Sequence, residues 1–246
     1  MTTSASSSTR ATRLRHVVIS AGPTREPIDP VRFLSNYSTG TMGACVAQEA
    51  ARRGYRVTLV SGPTEVPPPR GTRVIRVETS HDMQRALSRV MPAADALVMA
   101  AAVCDFRPVR VAHRKVPRQG AWTLRLTTTP DIVGTLPRRA GQVIVGFALE
   151  THAAMAHAVQ KLKRKRLDCV IGQVFNGSGA PFGQRAVQAF VVRASGTVTR
   201  LGTVSKPRLA RVILDEIEQL WYRGIPLQRD RGGRRTSIVL TAKPTR

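Results

Sequence analysis

A doubly wound α/β fold, with helices on both faces of a mostly parallel sheet, is what this chain predicts, and three observations carry the prediction. Apolar, β-branched runs such as "HVVIS" at 16–20, "ALVMAAAV" at 96–103 and "VIVGF" at 143–147 read as strands buried on both faces. Segments of helical periodicity alternate with them, and that alternation builds parallel sheets. The length of 246 residues and hydrophobic content of 42% suffice for one sizeable core, because ~250 residues is within single-domain range for α/β folds.

In order, His16 to Gly22 is the first strand, and a long polar loop leads to a helix in "TMGACVAQEAARRG". There Met42, Cys45, Val46 and Ala50 share one face and Gly54 marks the stop. "RVTLVSG" and "TRVIRVE" are the next strands, "SHDMQRALSRVM" a helix opened by Ser80, and "ADALVMAAAV" a strand ending at Val103. "DIVGTLPRRA" reads as a short helix, "QVIVGFALE" as a strand, "HAAMAHAVQKLKRKRL" as a helix and "DCVIGQ" as a strand. A hairpin in "QAFVVRASGTVTRLG" turns at Ser195-Gly196, and "SKPRLARVILDEIEQLWY" is the terminal helix. The whole is Rossmann-like, closed by a hairpin plus helix. Residues 1–14 are expected as a disordered Ser/Thr-rich tail, 15–223 as the folded domain and 224–246 as a basic extension.

Composition narrows the function classes. The net charge is +24, from 39 Lys and Arg against 15 Asp and Glu, but the arginines are spread along the chain with few aromatics among them. Such charge sits on solvated faces and draws in small polyanions; a dedicated nucleic-acid site is not expected. No apolar run approaches the ~18 residues of a membrane span, so no membrane partner is expected. Cys45, Cys104 and Cys169 form no metal-ligand spacing and read as reduced core thiols of a cytoplasmic protein.

In a sheet of this kind ligands bind at the carboxyl ends of the strands. The first strand-to-helix connection has no G-x-G-x-x-G, since Pro23 follows Gly22, and Tyr37 has Thr41 rather than Lys four residues on. A nicotinamide-dependent oxidoreductase is thereby disfavoured, and the P-loop pattern is missing too. What remains is "SNYSTGTMG" at a helix opening. Its N–H groups and dipole suit an anion, with Gly40 and Gly43 permitting close approach and Ser38 and Thr39 donating hydroxyls. Ordinary capping by Ser38 or Thr39 explains the same residues, and spacing alone leaves the two readings open.

Several segments occur in one order: "ISAGPTREPIDPVRFLSNYSTGTMG", "VTLVSGPT", "AAVCDFRP", Lys115, "TTTPDIV", "VGFALET" and "GTVSKPRLARVILDEI". Together, from about His16 to Leu220, they resemble phosphopantothenate–cysteine ligase, or phosphopantothenoylcysteine synthetase, of the bacterial CTP-dependent type. That resemblance implies a ligase of coenzyme A biosynthesis. It would activate the carboxylate of 4′-phosphopantothenate with CTP, giving an acyl-cytidylate and pyrophosphate, and then transfer the acyl group to L-cysteine with release of CMP. CTP as co-substrate, Mg²⁺ and a homodimer are implied; the metal ligands are unknown. In many bacteria such a domain follows a flavin-dependent decarboxylase, and no segment here encodes one, so a stand-alone ligase without flavin is expected.

Site residues follow from the resemblance position by position. Asn36 matches the Asn of the second half-reaction, and Lys115, ten residues after Asp105, matches a Lys that offsets phosphate charge in the first. Met99, Ala100, Ala101 and Asp105 match positions contacting the cytidine nucleotide, and Pro130, Asp131, Ile132 and Val133 match a turn that holds the base. Phe147 matches an aromatic packed on the nucleotide, and Lys161 and Lys165 two nucleotide-contacting lysines on one helical face. The chain departs from the pattern at Thr41, where Lys is usual, at Pro117 in the flap "KVPR", and at Gly172 to Phe175, where "GQVF" replaces "ANDV" after the last parallel strand. Those departures motivate a second hypothesis, a catalytically impaired relative that binds nucleotide or nucleic acid.

Overall fold

The computed structural model describes residues 14–118, 120–175 and 182–223. Along them the chain runs β1 (His16–Ala21), β2 (Arg25–Pro27), β3 (Phe33–Ser35), α1 (Thr41–Arg52), β4 (Arg56–Ser61), β5 (Arg73–Arg76) and α2 (Ser80–Val90). A 3-10 turn at Met91–Ala93 precedes β6 (Ala96–Met99), β7 (Phe106–Pro108), β8 (Leu126–Thr128), α3 (Ile132–Thr135), β9 (Val143–Glu150) and α4 (Ala154–Arg164). The remainder is β10 (Cys169–Val174), β11 (Val187–Arg193), β12 (Val198–Val204) and α5 (Lys206–Arg223).

Eight strands form one sheet in the order β12-β11-β10-β9-β6-β1-β4-β5, with β2-β3 and β7-β8 as separate two-stranded pairs. From β10 to β5 every neighbouring pair is parallel, while β11 and β12 add antiparallel at one edge. This is the doubly wound sheet that the unbroken apolar strands predict. One face buries Val17, Ile19, Val98, Val145 and Ile171 against Val46 and Ala50 of α1 and Leu209, Ile213 and Leu214 of α5. The other buries Val18, Val60, Leu97 and Ile144 against Met83 and Leu87 of α2 and Ala158 and Leu162 of α4.

Several expectations are corrected. β6 ends at Met99 rather than Val103, because the chain leaves the sheet there and Ala102 bridges Pro23 instead. The long polar loop after β1 contains the β2-β3 pair. The helix in "DIVGTLPRRA" is a single turn, since a residue preceding proline is pushed out of the helical region and Leu136, before Pro137, is extended at ψ 138°. α2 opens at Ser80, but its cap is Thr79, in a reciprocal capping box with Asp82. "GQVF" begins inside β10, not after it. Gly172 pairs with Phe190 across the sheet, and a Cβ on Gly172 would lie 2.1 Å from that ring, so the glycine makes room for the aromatic. Leu14, placed in the tail, is buried in the core at 1% exposure; residues 1–13 and 224–246 lie outside the described ones. No described helix is long and apolar enough to cross a membrane.

α1 and α5 are joined by a polar network over their apolar seam. Glu49 accepts from Arg52 Nη2 at 2.7 Å and from Arg53 Nε at 2.8 Å, and Arg53 also reaches Asp215 and Glu218. Hydrogen bonds from Arg52, opposed by burial and reinforced by Arg53, hold the Glu49 carboxyl at about 2. A carboxyl depressed in the folded state stabilises above its unfolded pKa, and that contribution is lost as pH falls through the folded value. Acid unfolding followed by circular dichroism is therefore expected to steepen below pH 4.5 and towards about 2, and Glu49→Gln should flatten that limb.

Candidate nucleotide-binding site

The sheet reverses its winding between β1 and β6: the chain goes from β1 outward to β4 and β5, then returns to β6 on the other side of β1. Ligand crevices form at such switch points, outside the carboxyl ends of the strands. Here the two emerging segments are stitched together. Ala102 N donates to Gly22 O at 2.9 Å, Thr24 N donates to Ala102 O at 3.2 Å, and Cys104 N donates to Thr24 Oγ1 at 3.0 Å. Beside this seam lies a cleft of about 770 Å³.

α1 opens onto the cleft through Ser38, Thr39, Gly40, Thr41 and Met42. Its cap is Gly40, at φ 76°, with no side-chain cap bond, and its first turn carries no acidic residue. Capping by Ser38 or Thr39 is thus not how the stretch is used. Thr39 Oγ1 instead bonds Thr41 Oγ1 at 2.8 Å and accepts from Gly183 N at 3.1 Å. Gly43 stands off the cleft wall: a Cβ there would lie 2.4 Å from Ala21 Cβ, so this glycine lets α1 press on β1 rather than admitting a phosphate.

Asn36 lies at the rim, its Nδ2 donating to Ala102 O at 2.9 Å. Met99, Ala100, Ala101 and Asp105 line the wall beyond β6, with Ala101 N bonded to Ser20 Oγ at 3.1 Å. Pro130, Asp131, Ile132 and Val133 line the far side. Asp131 Oδ1 accepts from Gly134 N at 3.0 Å, and its other oxygen pairs with Lys165 Nζ. Burial alone would raise this carboxyl, but Lys165 and Gly134 outweigh it and hold it below the ordinary range. Lys161, one turn away on α4, has its ammonium pushed down by burial and by Lys165, with Asp105 and Glu150 opposing. Phe147 borders the same space.

Lys115 is not brought to this wall. It is exposed, on a segment fastened elsewhere: Val116 N donates to Asp29 Oδ2 at 3.2 Å and Val116 O accepts from Arg32 Nη2 at 2.9 Å. Asp29 in turn accepts from Arg32 and from the N–H of Val31, and those bonds, Arg32 foremost, hold its carboxyl far below the ordinary range despite burial. Gln173, one of the departures from the family pattern, faces the cleft, and so do residues not singled out by sequence: Lys206 and a His157–Glu150 pair at 2.9 Å. Lys206 lies inside a quoted motif, "SKPRLA", yet nothing in its local pattern signals that α5 begins against the mouth of α1. Among the described residues no group of three or more His, Cys, Asp or Glu gathers as a metal site.

Fold and cleft together define an α/β domain with a candidate ligand site at the switch point of its sheet. Residues 12–220 match the profile of the DNA/pantothenate metabolism flavoprotein C-terminal domain, and the chain belongs to that family. It is 40% identical over 209 residues to the coenzyme A biosynthesis bifunctional protein CoaBC of Bacillus subtilis (strain 168), covering 84% of this chain and 52% of that protein. The chain thus spans about half the length of the curated relatives it matches. The crystal structure of the C-terminal domain of CoaBC superposes with a TM-score of 0.70 at 33% identity, covering 84% of this chain and 95% of that one. A Cab2 mutant in complex with phosphopantothenate-cysteine shares the fold, with a TM-score of 0.67 at 19% identity over 84% of this chain and 87% of that one.

The tight contact at Gly43 makes a checkable demand. Gly43→Ala overpacks the α1–β1 seam and is expected to cost about 1–3 kcal/mol in urea unfolding, while an unchanged midpoint would mean that the helix moves freely away from β1.

Proposed function

We propose that this domain joins 4′-phosphopantothenate to L-cysteine at the expense of CTP, through an acyl-cytidylate. The observation that carries the reading is the switch-point cleft, which gathers the uncapped mouth of α1, the amide of Asn36, the wall 99–105, the turn 130–133 and the lysines of α4. Family membership, and relatives named for coenzyme A biosynthesis, support it.

A carboxylate is a poor electrophile, so the first step converts it. The substrate carboxylate oxygen attacks the α-phosphorus of CTP, an acyl–phosphate bond forms, and pyrophosphate leaves with the broken α–β bridge. The amine of cysteine then attacks the acyl carbonyl, losing a proton as the amide forms, and CMP leaves. What the chain supplies is position and electrostatics. α1's first-turn N–H groups face the phosphate chain, Lys161 and Lys165 offset its charge, and the apolar atoms of Ile132, Val133 and Phe147 hold the base. Asn36 stays at the rim, where its amide orients the acyl carbonyl or the incoming amine. Lys115 acts on the phosphates once its segment folds inward on nucleotide binding.

Mg²⁺ asks only for one or two carboxylates beside phosphate oxygens and water. Asp105 fits that need, since its carboxylate lines the cleft and enters no ion pair among the described residues. The ion supplies charge offset to the triphosphate. A homodimer is part of the reading: Phe33, Val31, Phe106, Leu126 and Trp122 of and around the β2-β3 and β7-β8 pairs are 45–60% exposed, an apolar surface suited to a second copy beside the rim.

Two outcomes test the proposal. CTP, offered in competition with ATP, GTP and UTP, is expected to be the nucleotide consumed, with pyrophosphate release dependent on 4′-phosphopantothenate. Lys115→Gln should stop that release, whereas Asn36→Asp should allow it and let the acyl-cytidylate accumulate. Nucleic-acid binding that CTP does not compete with, and no pyrophosphate from the wild type, would favour the impaired relative.

A further inference from the structure

Lys206 is an expensive residue to have where it is. It is 4% exposed, and among the described residues its ammonium enters no ion pair. Among the described residues its one hydrogen bond is to Gly183 O, at 2.5 Å. It occupies the first turn of α5, which contains no acidic residue, and a cation at a helix N-terminus opposes the dipole. The same Gly183 peptide donates its N–H to Thr39 Oγ1 at 3.1 Å, so one peptide links the ammonium to the residue preceding α1's cap. α1 brings no cation to its own opening, its basic residue being Arg52 in the last turn. Two helix openings and a buried ammonium therefore border one cleft, and its carboxylates Asp105, Asp131 and Glu150 form no ion pair with Lys206 among the described residues. Burial already presses the ammonium below its ordinary range, with Cys45 opposing. A buried charge without a partner is costly, and an anion entering the cleft is the partner the arrangement lacks.

We infer that Lys206 is the cation that holds the polyphosphate of the nucleotide against the mouth of α1, acting from a different helix in place of a side chain on α1 itself. The inference rests on the nucleotide reading above and adds to it the residue that selects for the length and charge of the phosphate chain. Gly183, held from both sides by Thr39 and Lys206, would release its carbonyl when phosphate oxygens take over the ammonium. The loop at 182–185 is thereby coupled to occupancy of the cleft.

The test compares Lys206→Gln and Lys206→Arg with the wild type by calorimetry, using CTP, inorganic tripolyphosphate and cytidine as three separate probes. Losing a charge-assisted hydrogen bond corresponds to about 10- to 100-fold in affinity. Lys206→Gln is expected to weaken CTP and tripolyphosphate by about that factor and leave cytidine unchanged, with Lys206→Arg restoring most of the loss and the salt dependence of CTP binding falling only in the Gln variant. Equal affinities of wild type and Lys206→Gln for CTP overturn the inference and leave the nucleotide reading intact. A parallel loss of cytidine and CTP, unrescued by Arg, makes Lys206 a structural tether and also overturns it. A wild type that binds none of the three probes removes the nucleotide reading itself. Should Lys206→Gln fail to fold, Lys206→Met with the same probes and the same outcomes decides.

Discussion

The bridge between Pro23 and Ala102 is the contact on which the site depends. Parallel strands end at different heights, and without a link the segments leaving β1 and β6 would diverge and expose their backbone groups. Bonds between Gly22, Thr24 and Ala102 extend the pairing past the strand ends and pay the desolvation of those groups. One rim of the candidate cleft is held by this seam. Asn36 hydrogen-bonds to Ala102 itself, Cys104 is tied to Thr24, and Thr129 closes the far side through Asp105 and Cys104. A rim held at several points suits the positioning that the proposed acyl transfer needs.

Electrostatics then divides the molecule's charge into two kinds. Much of the excess of arginine is solvated or paired, as Arg52 and Arg53 are with Glu49 and Arg193 with Glu216. Such pairs stabilise helices and seams, and they leave little field at a distance in salt. Under the proposed function, the charge that matters for binding is the small part withdrawn from solvent at the cleft wall. Lys161 and Lys206 are both pressed down by burial on the cleft wall, where an anion is worth far more to them than at the surface. The +24 total attracts polyanions towards the protein, and under the proposed function the lysines of the cleft wall and the open mouth of α1 select among them.

How much of this could be read beforehand follows from the range of each interaction. The long strands β1, β9 and β10 and the helices α1, α2, α4 and α5 were legible because their signals are local runs and periods. The β2-β3 and β7-β8 pairs were not, since three-residue strands carry no pattern and exist only through partners: Phe106 pairs with Thr128, and Arg25 N donates to Glu78 O. In the site, the mouth of α1 announced itself as small polar residues, but Gly43 looked like part of it while serving the packing on Ala21. Lys206 gives no local signal for the converse reason, its place being set by a contact with Gly183 and a cleft shared with Thr39. Lys115 stands out by resemblance alone, and its segment is fastened to Asp29 and Arg32, outside the cleft.

The central claim is that the substrate carboxylate attacks the α-phosphorus of a nucleotide held in this cleft, and oxygen can be followed through that step. With 4′-phosphopantothenate carrying ¹⁸O in its carboxylate, one labelled oxygen should leave in the phosphate of CMP at each turnover, detected by mass spectrometry, with pyrophosphate unlabelled. Label in inorganic phosphate together with CDP, or unlabelled CMP, would contradict the account.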